Sequence, residues 1–137
     1  MKNLDHPTKL DWSKLPPSFH RIRLELAREK GHPQGSAAIG YNLVAPLDGN
    51  GRIDANLWHQ YREFCRVVRF RPDEEDDVGH LVRKQGGGFA FRYDIRGDQE
   101  EETGYHFSTD RFMLGDYVSV REEDGLHTFQ VASVEPL

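Results

Sequence analysis

The chain has 137 residues, with 18 lysines and arginines against 23 aspartates and glutamates, seven histidines and one cysteine. That length suits one domain, and a lone Cys65 excludes both an intramolecular disulfide and the paired thiolates of zinc ribbons and redox motifs. No apolar run approaches the roughly 18 residues that cross a membrane, and the opening residues lack the apolar core of a signal peptide, so a cytosolic protein is expected.

Residues 1–18 are polar and aperiodic, with Pro16-Pro17 stiffening their end, and read as an extended arm before a single β-rich domain over 19–137. "FHRIRLELARE" then sets Ile22, Leu24 and Leu26 against Arg21, Arg23 and Glu25, the period of a half-buried strand. "GHPQG" at 31–35 is a turn, and "SAAIGYNLVAPL" a second strand ending near Pro46. "PLDGNGRID" at 46–54 imitates the middle of a calcium loop. Yet Pro46 and Leu57 stand where the first and last carboxylates of an EF-hand loop belong. Asp54 is instead a favoured N-cap, Ile53 and Trp58 form a hydrophobic staple, and the glycines make the preceding turn. The helix expected over about 55–65 carries Leu57, Trp58, Tyr61, Phe64 and Cys65 on one stripe.

Everything beyond the helix reads as strands. "RVVRFR" is assigned Val68 and Phe70 inward, with Arg69 and Arg71 outward. After an acidic turn at 73–77, "GHLVRKQ" sends Val82 inward and Arg83 outward, and "GGG" connects it to the next strand. "FAFRYDI" places Phe89, Phe91, Tyr93 and Ile95 on one face and Arg92 on the other. A second acidic turn leads to "GYHFS", and "GDYVSVREEDGLHTFQVASV" forms two strands about Asp124-Gly125. That last hairpin is similar to those of small SH3-like barrels, a likeness confined to residues 115–134. About eight short strands between turns predict a mainly β fold, an antiparallel β-barrel or curled roll covered by one amphipathic helix.

Chemistry is sparse. No histidine pair shows local metal spacing, "GGGF" lacks the spacing of a phosphate loop, and Cys65 on the apolar stripe reads as inert packing. No cofactor or resident metal is expected. His80, His106 and His127 lie on different strands and would meet, with Asp116, only if a barrel mouth gathered them. The acidic stretches at 73–77, 98–102 and 122–124 hold five, four and three carboxylates, which leaves the remainder net basic. Strand alternation then proposes a shared outward face for Arg21, Arg23, Arg69, Arg71, Arg83 and Arg92. Guanidinium forks there would grip an anionic small molecule or a partner's acidic segment. The competing interpretation of those arginines is an ordinary solvated sheet surface that keeps edges apart. Nucleic acid is disfavoured, because the acidic stretches repel a polyanion. The expected function is therefore a binding or interaction module. The alternative is a small barrel enzyme, hydrolase or isomerase, using interior histidine and carboxylates such as Asp94, Asp110 and Asp116. A third option is a homodimer formed through an exposed strand edge.

Overall fold

The structure, a computed structural model, describes residues 11–93 and 105–137. Eight antiparallel strands run β1 (Phe19–Leu26), β2 (Ser36–Pro46), β3 (Arg66–Arg71), β4 (Glu74–Arg83), β5 (Phe89–Tyr93), β6 (Tyr105–Phe107), β7 (Tyr117–Glu122) and β8 (Gly125–Pro136). Each pairs with its neighbours in chain order, and β8 returns to β1, so the sheet closes into an up-and-down barrel. Among the described strands, closure leaves each one paired on both sides. The last hairpin, β7–β8, thus completes an eight-stranded meander, which the local likeness to SH3-like barrels did not anticipate.

Alternation fills the interior as expected on several strands. Ile22, Leu24, Tyr41, Leu43, Leu81, Phe91, Val118, Val120, Phe129 and Val131 are at most 1% exposed. The Tyr41 ring occupies the centre, edge-on to Phe91, Phe107 and Phe129 at 5.3–5.9 Å. Glycine permits the tightest approaches. A Cβ at Gly40 would lie 1.9 Å from the Leu24 carbonyl oxygen, and one at Gly79 would lie 2.0 Å from that of Arg92.

The helix is shorter than expected: α1 spans Ala55–Gln60, and a 3₁₀ turn follows at Arg62–Phe64. Asp54 caps it, accepting from the Asn56 and Leu57 amides. The preceding Asp48 is likewise a turn residue, its Oδ1 accepting from the Asn50 and Arg52 amides at 2.8 and 3.0 Å. The segment 46–54 therefore prepares a helix, and its carboxylates serve the backbone. This helix closes one end of the barrel. The Trp58 indole donates to the Leu81 carbonyl and packs on Phe89, while Tyr61 meets Phe19 edge-on.

Within the described part of the arm, residues 11–18 contact the barrel. Trp12–Lys14 form a 3₁₀ turn, Trp12 lies edge-on to Phe64 at 4.9 Å, and Leu15 packs on the core. Residues 1–10 lie outside the described residues.

Candidate functional site

The largest correction concerns β3. Val67 is fully buried and Arg69 is 9% exposed, whereas Val68 and Phe70 are only half-buried. Val67, Arg69 and Arg71 point into the barrel, the reverse of the phase expected from hydrophobicity. Register explains why: Val67 pairs with Leu43 and Arg69 with Tyr41, both inward residues of β2, and on the other side Arg69 pairs with Asp77. Slipping the strand by one residue would set both guanidiniums outside and strand the interior carboxylates. Phe70 finds cover on the outer wall, lying over Gly40 and under the Arg23 guanidinium, 4.3 Å from its ring centroid.

The acidic run 73–77 also differs from its expected role. Only Pro72 and Asp73 separate the strands, and Glu74–Asp77 begin β4, which turns the Asp77 carboxylate inward. Glu122, expected in a solvated turn, ends β7 with its side chain 7% exposed.

Together these residues build a charged layer over the aromatic core, at the end opposite the helix. Arg69 reaches Glu122 Oε1 at 3.1 Å and Asp77 at 3.5 Å, and it donates to the Tyr93 and Tyr105 hydroxyls. The Tyr41 hydroxyl donates to Glu122 from below, and that of Tyr105 to Glu123. Arg71 pairs with Asp77 at 2.7 Å and Glu74 at 2.8 Å. Burial raises the pKa of the Tyr41 phenol, with Glu122 adding to it, and it likewise raises those of Tyr93 and Tyr105. Burial also disfavours charge on Arg69, but the Glu122 carboxylate and the hydroxyls of Tyr41, Tyr105 and Tyr93 together outweigh it, and the guanidinium stays firmly protonated.

Above this layer lies the mouth. A cavity of about 260 Å³ has Leu26, Ile39 and Phe129 as its apolar wall and Glu29, Glu122, Asp124, His127 and Arg71 among its polar groups. His127 Nδ1 sits 3.1 Å from both Glu29 oxygens, and Nε2 sits 2.8 Å from Asp124 Oδ1 and 3.9 Å from Glu122 Oε1. Burial works against the imidazolium, but the bonds to Asp124 and Glu29 prevail and raise the His127 pKa. The same bond from His127 lowers that of Asp124, and the Tyr105 hydroxyl lowers that of Glu123.

The six arginines singled out from sequence do not share a face. Arg71 lines the mouth and Arg69 lies in the layer beneath it, both already paired with carboxylates. Arg21 and Arg23 are on the outer wall of β1, with Arg23 engaged by Glu25 at 2.8 Å. Arg83 lies at the helix end over Phe89, its register partner, and Val82 is half-buried rather than inward. Arg92 is exposed on the outer wall, directly opposite His80.

Among the three histidines considered for convergence, only His127 enters the mouth. His106 is exposed between the buried Tyr105 and Phe107, and His80 pairs across strands with Arg66 and Arg92. Asp110 and Asp116 are tied to Arg52 and Arg111 away from the mouth, and Asp94 and Ile95 lie outside the described residues. Cys65 is buried with its thiol pushed up to about 12, an unreactive packing group as expected. Sequence reasoning missed Asp77, Glu122, Asp124 and Glu29. The available signal was the pair Arg69 and Arg71, two apart and so on one face of β3, since inward arginines demand inward carboxylates.

The fold and site define a class: a closed up-and-down β-barrel, plugged at one end by a short helix and bearing a charged mouth at the other. No known protein family, curated protein or solved structure matches the chain.

Proposed function

We propose that this chain is a binding module whose site is the barrel mouth, and that the group it anchors is cationic. One observation carries the reading: the mouth cavity combines an apolar wall with an excess of carboxylates over guanidiniums, and its one lining guanidinium, Arg71, is internally paired, as is Arg69 in the layer beneath. The anion-binding expectation loses its support at Arg69 and Arg71 for the same reason. Perturbed ionisations cluster around this cavity and nowhere else as densely among the described residues, which favours it as the site. Enzymatic use finds less support, because the phenols are held protonated and Glu123 and Asp124 are held ionised. The outer wall carries Arg21, Arg23, Arg66, Arg92 and Arg121, while the interior below the charged layer is packed with apolar and aromatic side chains. This is the inverse of a barrel facing lipid, and no described helix is long and apolar enough to cross a membrane.

Small primary amines and carboxylates of matched size test the polarity by calorimetry and thermal shift. Amines are expected to bind and to stabilise, by about 2.7 kcal/mol at a hundredfold excess over Kd. Glu29→Gln is expected to weaken that binding. Stabilisation by the carboxylates alone, or amine binding indifferent to Glu29→Gln, would refute the assignment.

A second reading keeps the acidic partner and moves it to the outer wall. In register, Arg66, His80 and Arg92 form one cross-strand row, and His106 and Arg121 pair in the next. An acidic peptide docking there would lose affinity in Arg66→Glu and Arg92→Glu and be untouched by Glu29→Gln.

A further inference from the structure

We infer that the rim of the mouth is a binding site for a divalent transition-metal ion, held by Glu122, Asp124 and His127. This rests on the reading of the mouth as a cation site and narrows its occupant. The β7–β8 hairpin supplies all three groups: Glu122 ends β7, Asp124 forms the turn and His127 stands two residues into β8. Gly125, at φ 131°, turns the chain sharply enough to bring them together. One donor atom from each lies within 4.8 Å of the others. An ion bonded to nitrogen and oxygen at about 2.1 Å in tetrahedral geometry sets its donors about 3.4 Å apart. The Nε2–Asp124 and Nε2–Glu122 separations, 2.8 and 3.9 Å, bracket that spacing, so small side-chain rotations complete the site.

A residue outside the hairpin points the same way. Glu29 follows β1, and both its oxygens face His127 Nδ1 at 3.1 Å. A carboxylate on one imidazole nitrogen fixes a proton there, so an ion that displaces the proton between Nε2 and Asp124 to solvent meets a lone pair already oriented, the arrangement found behind metal-bound histidines. Here Nε2 is thereby aimed at Asp124 and Glu122. The cavity beside the three groups leaves room for further ligands or water, and Asp124, 69% exposed, leaves an approach for the ion.

Arg69 sets a limit. It shares Glu122 Oε1, and the Tyr41 hydroxyl holds the other oxygen, so Glu122 is the weakest of the three ligands. Its oxygen retains a lone pair for the ion. One imidazole with two carboxylates suits zinc, cobalt or nickel, and the imidazole discriminates against calcium and magnesium.

The test uses the full, untagged chain after chelator treatment and desalting, titrated with zinc by calorimetry, with cobalt absorption as a second readout. One zinc per chain is expected at neutral pH. His127→Gln and Asp124→Asn, both at the rim, are expected to weaken it at least tenfold, and Glu29→Gln about tenfold with stoichiometry kept. Unchanged zinc affinity in both His127→Gln and Asp124→Asn would overturn the inference, since the remaining histidines would then be the binders. Absence of zinc binding with amine binding intact would overturn it too, while leaving the mouth reading standing. Loss of both would remove the two together.

Discussion

Arg69→Met tests the charged layer most directly. The Arg69 and Glu122 side chains are 11% and 7% exposed, so removing the guanidinium strands a carboxylate with little water to solvate it. Breaking a buried pair from one side costs 3–5 kcal/mol. The Tyr41 hydroxyl continues to donate to Glu122, which places the expected cost at the lower end, about 3 kcal/mol. For a domain of this size that corresponds to a fall of about 10 °C in Tm. Glu122→Gln in the same chain removes the stranded charge while keeping an acceptor for Tyr41. The double variant is therefore expected to be more stable than Arg69→Met alone, retaining a deficit of about 1–2 kcal/mol from lost hydrogen bonds. Urea unfolding at constant m-value, followed by far-ultraviolet circular dichroism, measures all four corners of the cycle. A coupling of at least about 1.5 kcal/mol is expected, against about 0.5 for independent sites. Additive losses, or an Arg69→Met chain within about 1 kcal/mol of the parent, would refute the inward placement of Arg69.

Other consequences are simpler to check. Phe91→Ala empties space beside Tyr41 and is expected to cost about 3–5 kcal/mol in urea unfolding. Asp48→Ala frees two backbone amides and is expected to cost about 1 kcal/mol by the same measurement, equally with and without calcium. Cys65, with its thiol near 12, is expected to resist alkylation at pH 8 in the folded chain and to react within minutes in denaturant, as mass spectrometry would show. Gly79→Ala forces a Cβ to within 2.0 Å of a carbonyl oxygen, and a marked loss of soluble, folded protein is expected.

The barrel was legible because alternation and turn chemistry are local. Phe89, Phe91 and Tyr93 announce their face through period two alone, and Asp54 announces a helix start through the amides it can satisfy. The number of strands followed from the spacing of turns; the burial of Cys65 was expected from an apolar helical stripe, although the helix stops at Gln60 and Cys65 caps the 3₁₀ turn that follows. The charged mouth was not legible, because a strand reading Arg-Val-Val-Arg-Phe-Arg offers two phases, and the more hydrophobic is the wrong one. What reverses it are Tyr41, Asp77 and Glu122, which lie 28, 8 and 53 positions away along the chain and become neighbours of Arg69 only when the sheet closes. Residue types and their order thus determined that a curved, aromatic-filled sheet would form. Which charges it would enclose was decided by register, because only closure lets buried arginines and carboxylates neutralise one another.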